Sequence, residues 1–378
     1  MSRQRTDRGF ALAAAVFALV VIATLIAGAF FAARQEISVG RSSSIAERAF
    51  AAAEAGLNQT IATWNTASYN ALSPGDSAVT PTTAVPDNGG SFTVTVLRLN
   101  PELFLVRSLG RDPSGSAQRL LATLARLQRI NINIQAGLTT RGEITLGGSS
   151  FTTGADAGPS GWGCPSSGLD TLPGVLTRDS SQISLSGCKN YSCVEGDPKV
   201  RQDTSINDST FFKFGEINYD ELAAMATLQL PGGLTWTQVE PSDSAGMCRT
   251  WYNKNWGEPS RGGGTVSACY NYFPIIHING SASFSNGKGQ GILLVDGNVN
   301  VQGGFEFNGP VIVRGEFDTQ GTGNKFTGGV LAANATLQES NVLGNATVAY
   351  SSCAVARAQK FGVPARELAR RNWADLIQ

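Results

Sequence analysis

The sequence predicts an α+β, membrane-anchored chain: a long N-terminal helix, a small antiparallel sheet, then a right-handed parallel β-helix with a cysteine-rich insertion. Three observations lead there. Residues 10–33 (FALAAAVFALVVIATLIAGAFFAA) hold no charged side chain. Short strands rich in Val, Ile and Phe recur between glycine turns, with Ile292, Val311 and Val330 spaced by nineteen residues. All six cysteines lie beyond the apolar run.

The apolar run, Phe10 to Ala33, is the membrane span. At about 1.5 Å per helical residue it reaches roughly 36 Å, enough for a hydrocarbon core of about 30 Å. Arg3, Arg5 and Arg8 precede it against Asp7 alone. Basic residues stay on the cytoplasmic side, so the chain is expected in the inner (cytoplasmic) membrane as a single pass, N-terminus inside and bulk outside. A removed signal peptide is the rival; its apolar core is usually shorter, about 7–15 residues.

Helical sequence continues past the span. Ile45, Ala49, Ala53, Leu57, Ile61 and Trp64 recur at three- and four-residue spacing, one apolar stripe on a helix. No proline precedes Pro74. A leader over 1–9 and one rod over 10–65 follow.

These residues carry a resemblance. A polar leader ending in Arg8-Gly9, with Phe10 opening the apolar helix, resembles a type IV prepilin junction. ERAFAAAEAGLN at 47–58 is similar to the AxxAAEAGL segment of PilX-type minor pilins. The resemblance implies cleavage between Gly9 and Phe10 by a prepilin peptidase, methylation of the new terminus, and partners among other pilins or pilus assembly proteins besides the lipid bilayer. Shaft pilins carry a glutamate five residues into the mature chain; here that position is Ala14. Large tip pseudopilins of type II secretion systems also lack it, which leaves a tip or priming position open. An uncut anchor is the alternative.

Residues 66–90 read as a linker, dominated by Pro, Ser, Thr and Gly. Residues 91–129 read as three antiparallel strands, with turns at Asn100-Pro101 and Asp112–Gly115. The third, around AQRLLATLARL, has helix propensity, but the turn spacing places it in the sheet. Residues 130–155 and 275–350 read as one parallel β-helix, since short strands at solenoid spacing stack into a column. Residues 156–274 interrupt it and are expected to leave the stack as a lobe. Inside them Asn218 and Glu221 form a capping box for a helix running to Pro231. Residues 354–378 read as a capping helix for the solenoid's end.

Zero net formal charge, from 29 basic and 29 acidic residues, gives no case for nucleic acid. Cys164, Cys188, Cys193, Cys248, Cys269 and Cys353 read as disulfides outside the cytoplasm; Cys188–Cys193 and Cys248–Cys269 are the local pairings. No metal or cofactor is expected, as no C-x2-C pair occurs and His277 is the one histidine. Asp296, Glu306, Glu316 and Asp318 could serve a carbohydrate-active β-helix enzyme. The last three alternate with phenylalanine, which places acid outside and ring inside. No catalytic residue is therefore assigned. The function read is a minor or tip component of a type IV pilus or related filament. An uncleaved surface adhesin, using the aromatics of 156–274, comes second.

Overall fold

The computed structural model describes residues 8–86, 89–128, 130–165, 170–261, 267–333, 340–343, 345–368 and 373–376; most of the expected leader, 1–7, lies outside these. Helix α1 runs unbroken over Arg8–Ala62, 55 residues and so roughly 80 Å. It is long and apolar enough to cross a membrane.

The outer half of α1 lies on an antiparallel sheet whose centre is Ser91–Arg98, Leu103–Arg111 and Gln118–Leu127. The first two strands alternate buried and half-buried residues, as a sheet covered on one face by a helix must. Gln118–Leu127 is a strand despite its propensity because its backbone pairs along the whole of Leu103–Arg111.

Residues 66–90 are more than a linker. Ser77–Val79 and Thr83–Ala84 pair with the free edge of Ser91–Arg98, so their backbone groups find partners there.

Residues 130–363 form a stack of coils. In sequence 292–308, 311–327 and 330–349, each coil gives one strand to an eight-stranded parallel sheet and two to a twelve-stranded parallel one. At one corner sit Gly291, Gly309 and Gly328, all at positive φ. A Cβ on Gly309 would lie 1.9 Å from the Gly291 carbonyl oxygen, so only glycine fits between coils there. Leu293, Val295, Val311 and Val313 fill the column with Phe284, Phe305, Phe307 and Phe317. Ile292, Leu294, Ile312 and Leu331 face out from the smaller sheet and are buried under other elements, including Leu222, Ala354 and Ala358. Apolar side chains on both faces explain the unbroken ILLV and VIV runs.

The expectation of a separate lobe over 156–274 is corrected. Val175–Thr177, Ile183–Ser186 and Val194–Glu195 add a coil beyond 138–153, and Val200–Gln202 begins another. Leu228–Pro231 and Leu234–Val239 add a coil at the opposite end, against 275–290. Coil 330–349 then returns to pair with 138–153. Such strands bury their apolar side by stacking, which a small independent core would do less completely. The capping-box helix is shorter than expected, Tyr219–Ala224, because Leu228 onward extends to pair with Ile275–Asn279.

The tail is also corrected. Helix Ser352–Phe361 covers the smaller parallel sheet, but Ala365–Glu367 and Trp373–Leu376 are strands that pair with Gln118–Leu127. That strand's outer edge was unpaired and takes them up. The coil stack is thus inserted between the third strand of the antiparallel sheet and the strands that complete it.

Candidate functional site

The AAEAGL motif is a contact surface. Ala49, Ala52, Ala53 and Leu57 are buried, while Glu47, Arg48 and Glu54 stay exposed. A Cβ on Gly110 would lie 2.2 Å from the Ala49 carbonyl oxygen, and one on Gly56 would lie 2.3 Å from Ser108 Oγ. Small residues on both elements let backbone meet backbone, with Phe92, Val94, Val106 and Leu121 closing the core around them.

The other half of α1 has no such cover. Leu12, Phe17 and Phe30 are each 71% exposed, and Ile37 and Val39 are exposed too, past the last residue of the apolar run. Residues 34–44 stand free of the sheet on every side. Gly9 and Phe10 fall in the first turn of the helix, and Ala14 is exposed. An apolar surface of this extent needs lipid or other helices against it.

Where α1 ends, the two units are joined by polar groups. Trp64 Nε1 donates to Asn70 Oδ1 at 2.8 Å, and Asn70 Nδ2 donates to the carbonyl of Val363 at 2.8 Å. Beside this joint lies a cleft of about 730 Å³ lined by Trp64, Met225, Trp251, Tyr272 and Arg366 among others. Trp251 and Tyr252 are exposed, with the Arg249 guanidinium 5.1 Å over the Tyr252 ring. The segment that presents them is braced by Cys248–Cys269 and by Asn255, which donates to the carbonyls of Ser242 and Arg249 at 3.0 Å each.

The structure pairs Cys188 with Cys193, Cys248 with Cys269, and Cys164 with Cys353. The last bond crosses 189 residues and ties the helix Ser352–Phe361 to the segment after 138–153.

The four acids fall in three places, Glu316 and Asp318 being neighbours on either side of Phe317. Glu306 registers between Lys288 and Lys325, and Asp318 between Asn300 and Asn341. Glu316 accepts from Asn298 Nδ2 at 3.1 Å; desolvation, then the Asp318 charge, hold its carboxyl above the usual range. Asp296 Oδ2 lies 2.9 Å from His277 Nε2, and its other carboxylate oxygen lies 3.8 Å from Arg314. Arg314 also pairs with Asp220 at 2.6 Å and stacks 4.1 Å over the Tyr219 ring, whose hydroxyl is pushed well up by burial and by Asp296. In the strand register His277 stands opposite Leu294, and Asp296 reaches it from just beyond the end of Ile292–Val295. Spacing alone did not mark this pair. Among the described residues no three His, Cys, Asp or Glu side chains gather as a metal site would.

No family model matches the chain, and no curated protein matches it. Among solved structures it is similar to the crystal structure of the competence-associated pilin ComZ from Thermus thermophilus. That likeness has 12% identity and a TM-score of 0.27, and covers 88% of this chain and 97% of that one. A TM-score that low carries no functional assignment.

Proposed function

We propose that this chain is a pilin-like structural protein of PilX type, a minor or tip component in assembly of a type IV pilus or related filament. Its helix is rooted in the inner membrane with the N-terminus inside, and the coil stack, taken as a right-handed parallel β-helix, projects outward. One observation carries the reading. A single rod buries its outer half on its own sheet through small residues and leaves its apolar half bare for lipid or neighbouring helices. Ala14, in place of a carboxylate, favours a position at the end of a filament over one in its shaft. Partners are then other pilins and a prepilin peptidase. Catalysis has no part in this proposal: each acid lies beside amides, basic groups or a histidine.

Mass spectrometry of the native protein tests it. A mature chain beginning at methylated Phe10 is the expected result; a chain retaining Met1 removes processing from the account.

The exposed Trp251 and Tyr252 favour a second reading, an uncut surface adhesin. Under it, Trp251→Ala abolishes surface binding and leaves filaments normal. Under the first, filament number is unchanged by Trp251→Ala and falls when residues 10–33 are replaced.

A further inference from the structure

The coil stack ends in open strand edges at both ends. Among the described residues, Ile183–Ser186 at one end pairs on one side only, with Ile144–Gly147, and Val200–Gln202 pairs only with Val175–Thr177. At the other, again among the described residues, Leu234–Val239 pairs only with Ala282–Gln290, and Leu228–Pro231 only with Ile275–Asn279. Natural edge strands are usually guarded by charge, proline or a bulge. Pro231 and Arg201 guard the smaller sheet in this way. Of the outermost strands of the larger sheet, Val194–Glu195 carries a charge at Glu195, whereas ISLS and LTWTQV hold no charged residue and no proline.

The column is uncovered in part at the same places, although Val194, Trp236 and Val239 on these end strands are buried. Leu185 registers with Leu146, a fully buried column residue, yet is 38% exposed; Leu234 registers with buried Ala282 and is 48% exposed. Both hold interior positions with no coil beyond them. A solenoid exposes such positions only where a cap or another coil is missing.

We infer that the two ends dock on each other between copies: the end bearing Ile183–Ser186 of one molecule receives the end bearing Leu234–Val239 of a second copy. The argument is one of match. Both edges belong to the same two sheets and all strands in them run parallel. A second molecule shifted along the stack axis therefore meets an edge of the right polarity in each sheet, and Leu185 and Leu234 are covered together. Such contact is head-to-tail, so it extends the stack instead of closing a symmetric dimer. It is independent of α1.

The test uses the full chain in detergent micelles, with protein mass read by light scattering across a concentration series. Wild type is expected to gain mass beyond the dimer as concentration rises. Leu185→Lys and Leu234→Lys each place a charge at one end, and each is expected to weaken self-association by about tenfold or more, since a charge buried without a partner is strongly disfavoured. Both sites are partly exposed, so melting temperatures near wild type will show that the variants fold. An equal mixture of the two variants retains one intact pair of ends and is expected to form dimers and nothing larger. Wild type that stays monomeric throughout overturns the inference, as does a mixture that stays monomeric. Association that survives in both single variants belongs to α1 and also overturns it, while leaving the filament reading intact.

Discussion

Arg98 is 3% exposed, and no described carboxylate pairs with it. Its guanidinium donates instead to the carbonyls of Asn70 (2.8 Å), Leu72 (2.7 Å), Asn100 (3.1 Å) and Pro101, and lies 5.2 Å over the Phe104 ring. Burial lowers its pKa from the usual arginine value, but it remains the donor that four acceptors share. Arg98→Ala strands those carbonyls beside the joint between sheet and coil stack. We expect a loss of about 2–4 kcal/mol, read from urea unfolding, with Arg98→Lys recovering only part of it because an ammonium cannot reach all four. A change below about 0.5 kcal/mol would contradict this role. Nothing in the sequence around LRLNPE marks Arg98 as buried: its partners are backbone atoms, and backbone atoms have no residue type.

At the scale of elements, α1 is legible and its seat is half legible. Proline-free sequence, the uncharged run and the stripe through Ala49, Ala53 and Leu57 specify a rod and its buried face. That Gly110 answers Ala49 across the interface is invisible locally, since glycine in a strand reads as a weakness or a bulge. The two glycines Gly110 and Gly40 should part company on substitution. Gly110→Ala brings a Cβ within 2.3 Å of Ala53 N and is expected to cost about 1–3 kcal/mol, with faster hydrogen exchange in the outer half of α1. Gly40→Ala meets no atom within 4 Å and is expected to stabilise the helix by up to about 1 kcal/mol. Equal effects from the two would remove close approach as the reason for Gly110. The short capping-box helix shows the same division: Asn218 and Glu221 bond reciprocally at 2.8 and 2.9 Å, as their spacing says, while its end was decided by a distant strand.

At the scale of the molecule, what matters is which segments meet. Cys188–Cys193 encloses a separation of 5 residues and Cys164–Cys353 one of 189. In the chain-entropy account the long link constrains the unfolded state far more, by about 5 kcal/mol against roughly 2 for the short one. Cys164→Ala with Cys353→Ala should therefore lower the thermal midpoint more than the pair Cys188→Ala and Cys193→Ala. The reverse order in calorimetry would place the stabilising bond in the local turn. The same long link joins the helix that follows coil 330–349 to the segment that follows 138–153, so its loss should be felt where those two coils meet.

Periodicity and alternation are properties of one short stretch of chain, and the sequence alone determined what depends on them: the rod, its apolar face, the short glycine-turned coils, ring inside and acid outside. The even nineteen-residue step did not hold throughout, since Leu293 and not Ile292 stands opposite Val311. The choice of strand partner is different. It depends on which edges remain open after the rest has folded and on what the closing of long loops costs. So only the tertiary structure decided that 175–202 and 228–239 are coils at opposite ends, that Cys164 reaches Cys353, and that the tail returns as strands to complete the first sheet.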